Sequence, residues 1–221
     1  MKQSEIKWSY SGLKDYINCP KQYQQVKVLK NFTKTATKQM LYGTEVHKAL
    51  EDYVGENKPL PKNYEQFAEQ LDPLVEMEGV KYPEHQMALT FDKTPCDFYA
   101  KDYWVRGIAD LLVVNGDKAF IVDYKTGSNK YPDLKQLQLM ALMTFAHFPE
   151  VQTIHAGLLF VMHKHFITDS YTRDRIDDYW KDFWWNLERL HNSHVTDTWQ
   201  PNPTPLCGWC PVKTCEYHKE K

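Results

Sequence analysis

Asp110, Asp123 and Lys125 are the residues of this chain whose types and spacing could do chemistry together. They fall in RGIADLLVVNGDKAFIVDYK, residues 106–125, which reads as a β-hairpin. Residues 105–114 and 118–124 are rich in β-branched and aliphatic side chains, and Asn115-Gly116 between them is a strong turn signal. With those two residues as the loop, Val114 pairs with Asp117 and Asp110 falls opposite Ile121. Asp123 is then the diagonal neighbour of Asp110 on one face, because side chains alternate along a strand. Such neighbours lie about 7–8 Å apart between Cα atoms. Two carboxylates at that range can share a divalent cation. Lys125, two residues past Asp123, points to the same side. A three-residue loop would turn Asp110 to the opposite face and break the arrangement.

Two acids side by side repel, and burial penalises the charge of the one nearer the core. A hard, oxygen-seeking cation such as Mg²⁺ relieves both costs. A lysine beside it can position or activate a water, or neutralise charge developing on a phosphate. The plainer reading is a set of strand-end charges on a solvated edge, since an Asp-x-Lys triplet is common. The flanking residues argue against that. Ile108, Leu111, Leu112, Val113, Val114, Phe120, Ile121 and Val122 look like strands covered on both faces, with Asp110 and Asp123 as polar interruptions.

A second group is Cys207, Cys210 and Cys215, in CGWCPVKTC. Thiolates gathered by a loop with Pro205, Gly208 and Pro211 suit metal ligation, and a closed site needs a fourth ligand. Cys19, followed by Pro20 as Cys210 is by Pro211, is the candidate, and His218 is its rival. Cys96 is the expected spectator. Soft thiolates select iron–sulfur or Zn²⁺ over Mg²⁺, so two metal sites need not compete. Ligation from residue 19 and from 207 onward would staple the two ends of the chain across a long loop.

The remaining features bound the class. The 221 residues are 42% hydrophobic and 25% charged, ordinary for a globular protein and enough for one sizeable domain, taken as residues 1–221. No window is apolar enough to span a membrane, and the start MKQSEIKWSY lacks a signal-peptide core, so an intracellular, cytoplasmic location is the default expectation. The net charge of −2 does not announce a nucleic-acid partner. Its distribution is uneven: residues 1–48 hold nine lysines against three acids, a balance of +6, and residues 49–97 hold four against eleven, a balance of −7. The basic segment suits either a phosphate backbone or a solvated helical surface.

Several elements must position these groups. Residues 9–30 read as a helix capped by Ser9 or Ser11 and interrupted at Pro20. Residues 41–54 form a second helix closed by Gly55, with His47 and Glu51 on one face. Residues 68–78 read as an acidic helix, and 85–91 as a strand. After the hairpin come a helix over 133–147, with Leu134, Leu137, Ala141 and Phe145 inward, a strand over 153–162, a pairing strand over 166–171, and a long amphipathic helix over 173–194. The order predicts an α/β fold with a mixed sheet, and a parallel crossover after Lys125.

These residues resemble the PD-(D/E)XK nuclease superfamily in its RecB-like branch, which includes CRISPR-adaptation nucleases. The helix motif G-T-x-x-H-x-x-x-E stands here as Gly43, Thr44, His47 and Glu51. G-x-x-D stands as Gly107 to Asp110, and D-x-K-T-G as Asp123, Lys125, Thr126 and Gly127. A Q-L-x-L-Y motif appears as Gln136, Leu137 and Leu139, with Met140 in place of the tyrosine. One cysteine before the first motif and three at the C-terminus match the iron–sulfur members, although the last spacing is four residues where others often show five. The resemblance implies a restriction-endonuclease-like α/β core, a central mixed sheet flanked by helices, with the terminal segments joined by a metal cluster. It implies Mg²⁺ or Mn²⁺ held by His47, Asp110, Asp123 and the Tyr124 carbonyl. Lys125 orients the attacking water, and Gln136 holds Lys125 or the phosphate. Cys19, Cys207, Cys210 and Cys215 hold a [4Fe–4S] cluster, with Zn²⁺ as the alternative. The implied activity is hydrolysis of DNA by an exonuclease preferring single strands or free ends, in recombination, repair or phage DNA processing. The alternative is a DNA-binding or scaffold protein with an idle site. Glu84 reads as a turn acid that could also join the site.

Overall fold

The computed structural model of the chain describes residues 2 and 5–219. It resolves into two compact units, one of Thr37–Trp180 and the other of Met1–Ala36 with Lys181–Lys221. The division falls inside the last helix, α6 (Ile176–Thr196).

The first unit holds a six-stranded sheet in the order β2-β1-β3-β4-β5-β6. Its strands are β1 (Val80–Leu89), β2 (Pro95–Cys96), β3 (Val105–Asn115), β4 (Lys118–Lys125), β5 (Thr153–Phe160) and β6 (His165–Thr172). Only the β4–β5 pair is parallel, and α5 (Lys135–His147) supplies the connection between those strands. The mixed sheet, the hairpin and the parallel step agree with the sequence. The two-residue strand β2 was not expected from it.

Helix α3 (Lys38–Glu56) starts where the Thr37 hydroxyl accepts from the Met40 N–H, and it ends at Asn57, whose φ of 53° stops the helix. Gly55 is therefore inside the helix rather than its terminator. Val46, Leu50 and Val54 of α3 pack with Leu71 and Leu74 of α4 (Ala68–Val75) onto Leu111, Val113, Val122 and Tyr124 of the hairpin. Each fully buried aliphatic side chain here contributes about 1.5–3 kcal/mol. Helix α5 is buried along the whole of Leu137–Phe145 rather than along one stripe, as befits a helix with few polar positions. Met140 is core, seated over Gly107.

The hairpin turn is Gly116-Asp117, with Gly116 at a φ of 59° and Asn115 paired with Lys118. The expected two-residue loop is present but one position further on. The paired register runs to Leu111 opposite Val122, and one further step sets Asp110 opposite Asp123 rather than opposite Ile121. The pair therefore stands face to face across the hairpin, not diagonally. On the other side, the β1–β3 register runs from Val80–Val114 to Leu89–Val105 and skips one position, Glu84 opposite Asp110. The three acids lie at one level of three adjacent strands.

The sheet changes face at that level. Met87 contacts Thr144 of α5, and Gly107 lies under Met140 of α5. Pro83 lies against Gly55 of α3, and Leu111 belongs to the α3–α4 core. All four residue numbers are odd, so regular alternation would place them together. Glu84, at a φ of 46°, breaks the alternation on β1.

In the second unit, α1 (Tyr10–Asn18) is capped by Ser9, and α2 (Pro20–Tyr23) opens into a wider helical turn over Gln24–Val28. Extended Cys19 separates the two helices, and Pro20 sits at the first helical position, where its missing N–H costs nothing. The Tyr16 hydroxyl bonds the Ser193 hydroxyl at 2.8 Å in the interior, and Tyr23 stacks on Trp199.

The positive φ makes Glu84 sensitive to backbone type rather than to lost contacts. Glu84→Val, which cannot take that conformation cheaply, costs about 1–3 kcal/mol more than Glu84→Gly. Urea unfolding of both variants measures the difference; equal midpoints would contradict the assignment.

Candidate active site

Four elements meet where the ladder opens. Asp110 Oδ2 accepts the backbone N–H of Tyr124 at 2.7 Å, a bond that fixes the β3 acid to the β4 backbone. His47 of α3 brings Nδ1 to 3.4 Å from the same oxygen. Asp123 is 4% exposed and accepts from Gln136 Nε2 of α5 through Oδ1 at 2.5 Å. Its Oδ2 stands 2.5 Å from Lys125 Nζ as an ion pair, but accepts no well-aligned hydrogen bond. Lys125 Nζ donates to Gln136 Oε1 at 3.1 Å. Gln136 thus bridges the acid and the amine.

Electrostatics follow from burial. The Asp110 carboxyl is pushed well above the ordinary range, first by desolvation and then by Asp123; the Tyr124 N–H pulls it back only in part. Asp123 is also raised by desolvation, against the pull of Lys125 and His47. Burial lowers the His47 pKa, so the ring is neutral at pH 7 and its contact with Asp110 is not an ion pair. Glu84 is raised by burial, then by the negative charge of Glu51. Glu51 pairs with Lys48 at 3.0 Å rather than serving His47.

Every hairpin and helix residue singled out from the sequence is placed here: His47, Asp110, Asp123, Tyr124, Lys125 and Gln136. No three His, Cys, Asp or Glu side chains among the described residues are gathered tightly enough to cage a metal ion by themselves. The donor set nonetheless suits a divalent cation. A buried carboxylate oxygen lacks a hydrogen bond, two acids repel each other, and a neutral imidazole adjoins them. Mg²⁺ takes one or two carboxylates and completes its shell with water and phosphate oxygens.

Far along the chain, Cys19, Cys207, Cys210 and Cys215 line one pocket of about 310 Å³ of empty space within the second unit, and His218 lines it too. Three of the sulfurs accept hydrogen bonds: Cys19 from Asn202 N–H at 3.4 Å, Cys207 from Thr204 N–H at 3.3 Å, and Cys210 from Gln22 Nε2 at 3.4 Å. Cys96 is elsewhere, on β2, paired with Ala88. The sequence did not single out two other groups near Asp110. Met40 and Ile108 line the same groove as His47, Glu84 and Asp110. A strand pattern that reads as buried gave Ile108 no distinguishing signal.

The opened ladder of this α/β sheet thus gathers two acids, an amine and a helix histidine. A family model described as the PD-(D/E)XK nuclease superfamily matches residues 7–101 and 74–215. The chain belongs to that superfamily. No curated protein matches it. Among solved structures, the crystal structure of SSO0001 is similar, with a TM-score of 0.53 at 13% identity over 97% of this chain and 88% of that one. A protein from Eubacterium rectale named "Putative exonuclease" gives a TM-score of 0.49 at 14% identity, over 97% and 87%. Among the described residues, no helix is long and apolar enough to cross a membrane.

Both acids carry folded-state pKa values above their unfolded ones. The stability they contribute is present at pH below the ordinary carboxylate range and is lost as pH rises through the folded values. Asp110→Asn removes one of the repelling charges. The metal-free variant therefore unfolds at a higher temperature than the parent at pH 7, by roughly 2–4 °C for each 1 kcal/mol recovered. Thermal unfolding in chelator checks this; a lower Tm for the variant would refute the repulsion.

Proposed function

We propose that this protein is a metal-dependent deoxyribonuclease of the RecB-like branch, acting on single strands or free ends as an exonuclease. The observation that carries the reading is the joining of Asp110, Asp123, Lys125 and Gln136 at the break in the sheet. Membership of the nuclease superfamily supports it, and the family matches reach across both units, which we take as one nuclease domain over residues 1–221.

His47, Asp110, Asp123 and the Tyr124 carbonyl hold Mg²⁺ or Mn²⁺. A cation held there would supply charge neutralisation for the paired acids and Lewis-acid polarisation of a phosphoryl oxygen. Gln136 fixes the Lys125 amine beside Asp123, so the ammonium faces the entering water and the phosphate. Lys125 orients that water for attack on phosphorus and balances charge as the sugar oxygen leaves. His47, being neutral, offers a lone pair rather than a competing positive charge.

Cys19, Cys207, Cys210 and Cys215 hold a [4Fe–4S] cluster that ties the terminal segments together. Support comes from the N–H donors aimed at three of the sulfurs, a common feature of thiolate-ligated clusters. Zn²⁺, which would draw the four sulfurs onto one ion at about 2.3 Å, is the alternative.

Purified protein with Mn²⁺ degrades linear single-stranded DNA, and Lys125→Ala lowers kcat by about 10²–10³ while DNA binding persists. Blocking the 5′ or 3′ end of the oligonucleotide separates exonuclease from endonuclease action. Full activity in both Lys125→Ala and Asp123→Asn would sink the assigned site. Cys19→Ser releases iron and visible absorbance; retention of both would exclude Cys19 as a ligand.

A further inference from the structure

A groove with about 1110 Å³ of empty space opens beside Asp110. Along α3, the helix approaches the hairpin and β1 closely at two points. A Cβ on Gly43 would stand 3.1 Å from Thr126 Oγ1, and one on Gly55 would stand 2.7 Å from the Pro83 ring. Twelve residues of α3 separate those pinch points, about 18 Å at the rise of an α-helix. His47 stands between them, facing Asp110.

Two apolar side chains line this otherwise polar groove. Met40, at the start of α3, is 54% exposed. Ile108, two residues before Asp110, is 37% exposed in a strand whose next apolar residues are buried. Neither side chain helps to hold a phosphate or a cation. Both suit the flat apolar face of a nucleobase, which a duplex hides within its stack and an unpaired nucleotide presents. The groove is continuous with the catalytic carboxylate, so an occupant seated on Met40 and Ile108 is part of the substrate.

We infer that Met40 and Ile108 grip the base of the nucleotide adjoining the scissile phosphate, and that this contact sets the preference of the site for a strand with its bases intact and unpaired. The inference rests on the nuclease reading above and adds the residues that read the substrate.

The test compares a single-stranded oligonucleotide with one of equal length whose terminal positions are abasic, using Mn²⁺ and the full-length protein. The parent prefers the intact strand by about tenfold in kcat/KM, chiefly through KM, equivalent to about 1.4 kcal/mol. In the Met40→Ala, Ile108→Ala double variant the ratio falls to near one. Met40→Leu, which keeps an apolar side chain, retains the preference. A double variant that still prefers the intact strand tenfold would overturn the inference while leaving the nuclease reading in place. Equal cleavage of both strands by the parent would do the same. A parent that cleaves neither strand ends the nuclease reading, and this inference with it.

Discussion

The site depends on an interruption in the β-ladder. At the level of Glu84, Asp110 and Asp123 the backbone pairing of three strands gives way, and the Tyr124 N–H is satisfied by a carboxylate instead of a neighbouring carbonyl. An intact sheet would direct side chains strictly to alternate faces. The break lets His47 from the α3 side and Gln136 from the α5 side reach the same pair of acids. The apolar packing of α3, α4 and α5 holds the strands rigid on either side, so the opening does not propagate.

That arrangement sets stability against function. Two carboxylates are withdrawn from water, and one of their oxygens is left without a hydrogen bond. Lys125 offsets part of the charge, while a neutral histidine adds none. Such a site is under electrostatic stress, which a bound cation would relieve. Glu84 adds a strained backbone conformation at the same level, so the cost of the site is concentrated in a few residues.

Much of this was legible in the residues, for identifiable reasons. The hairpin was readable because a Gly-containing turn separates two β-branched runs. Its register was read one place early, because Gly116 rather than Asn115 takes the first central turn position. The C-terminal cysteines were singled out by their spacing, whereas both Cys19 and its rival His218 line the same pocket. Gly55 was read as a helix stop, but it serves close packing against Pro83, and the stop falls at Asn57. The switch of face between Pro83 and Met87 was not legible, because nothing in a glutamate's identity announces a positive φ. Ile108 was hidden for a different reason: the apolar run around it read as a strand covered on both faces.

The Gly116-Asp117 turn carries one more consequence. Nothing stands within 4 Å of where a Gly116 side chain would be, so the tip of the hairpin has room to vary in chemistry. It has no such latitude in length. An added residue that slipped the register by one would trade Asp123 for Tyr124 opposite Asp110 and turn the carboxylate to the other face. Evolution can therefore repaint this tip but cannot lengthen it by a single step, and the catalytic pairing is inherited through a count of residues as much as through their identity.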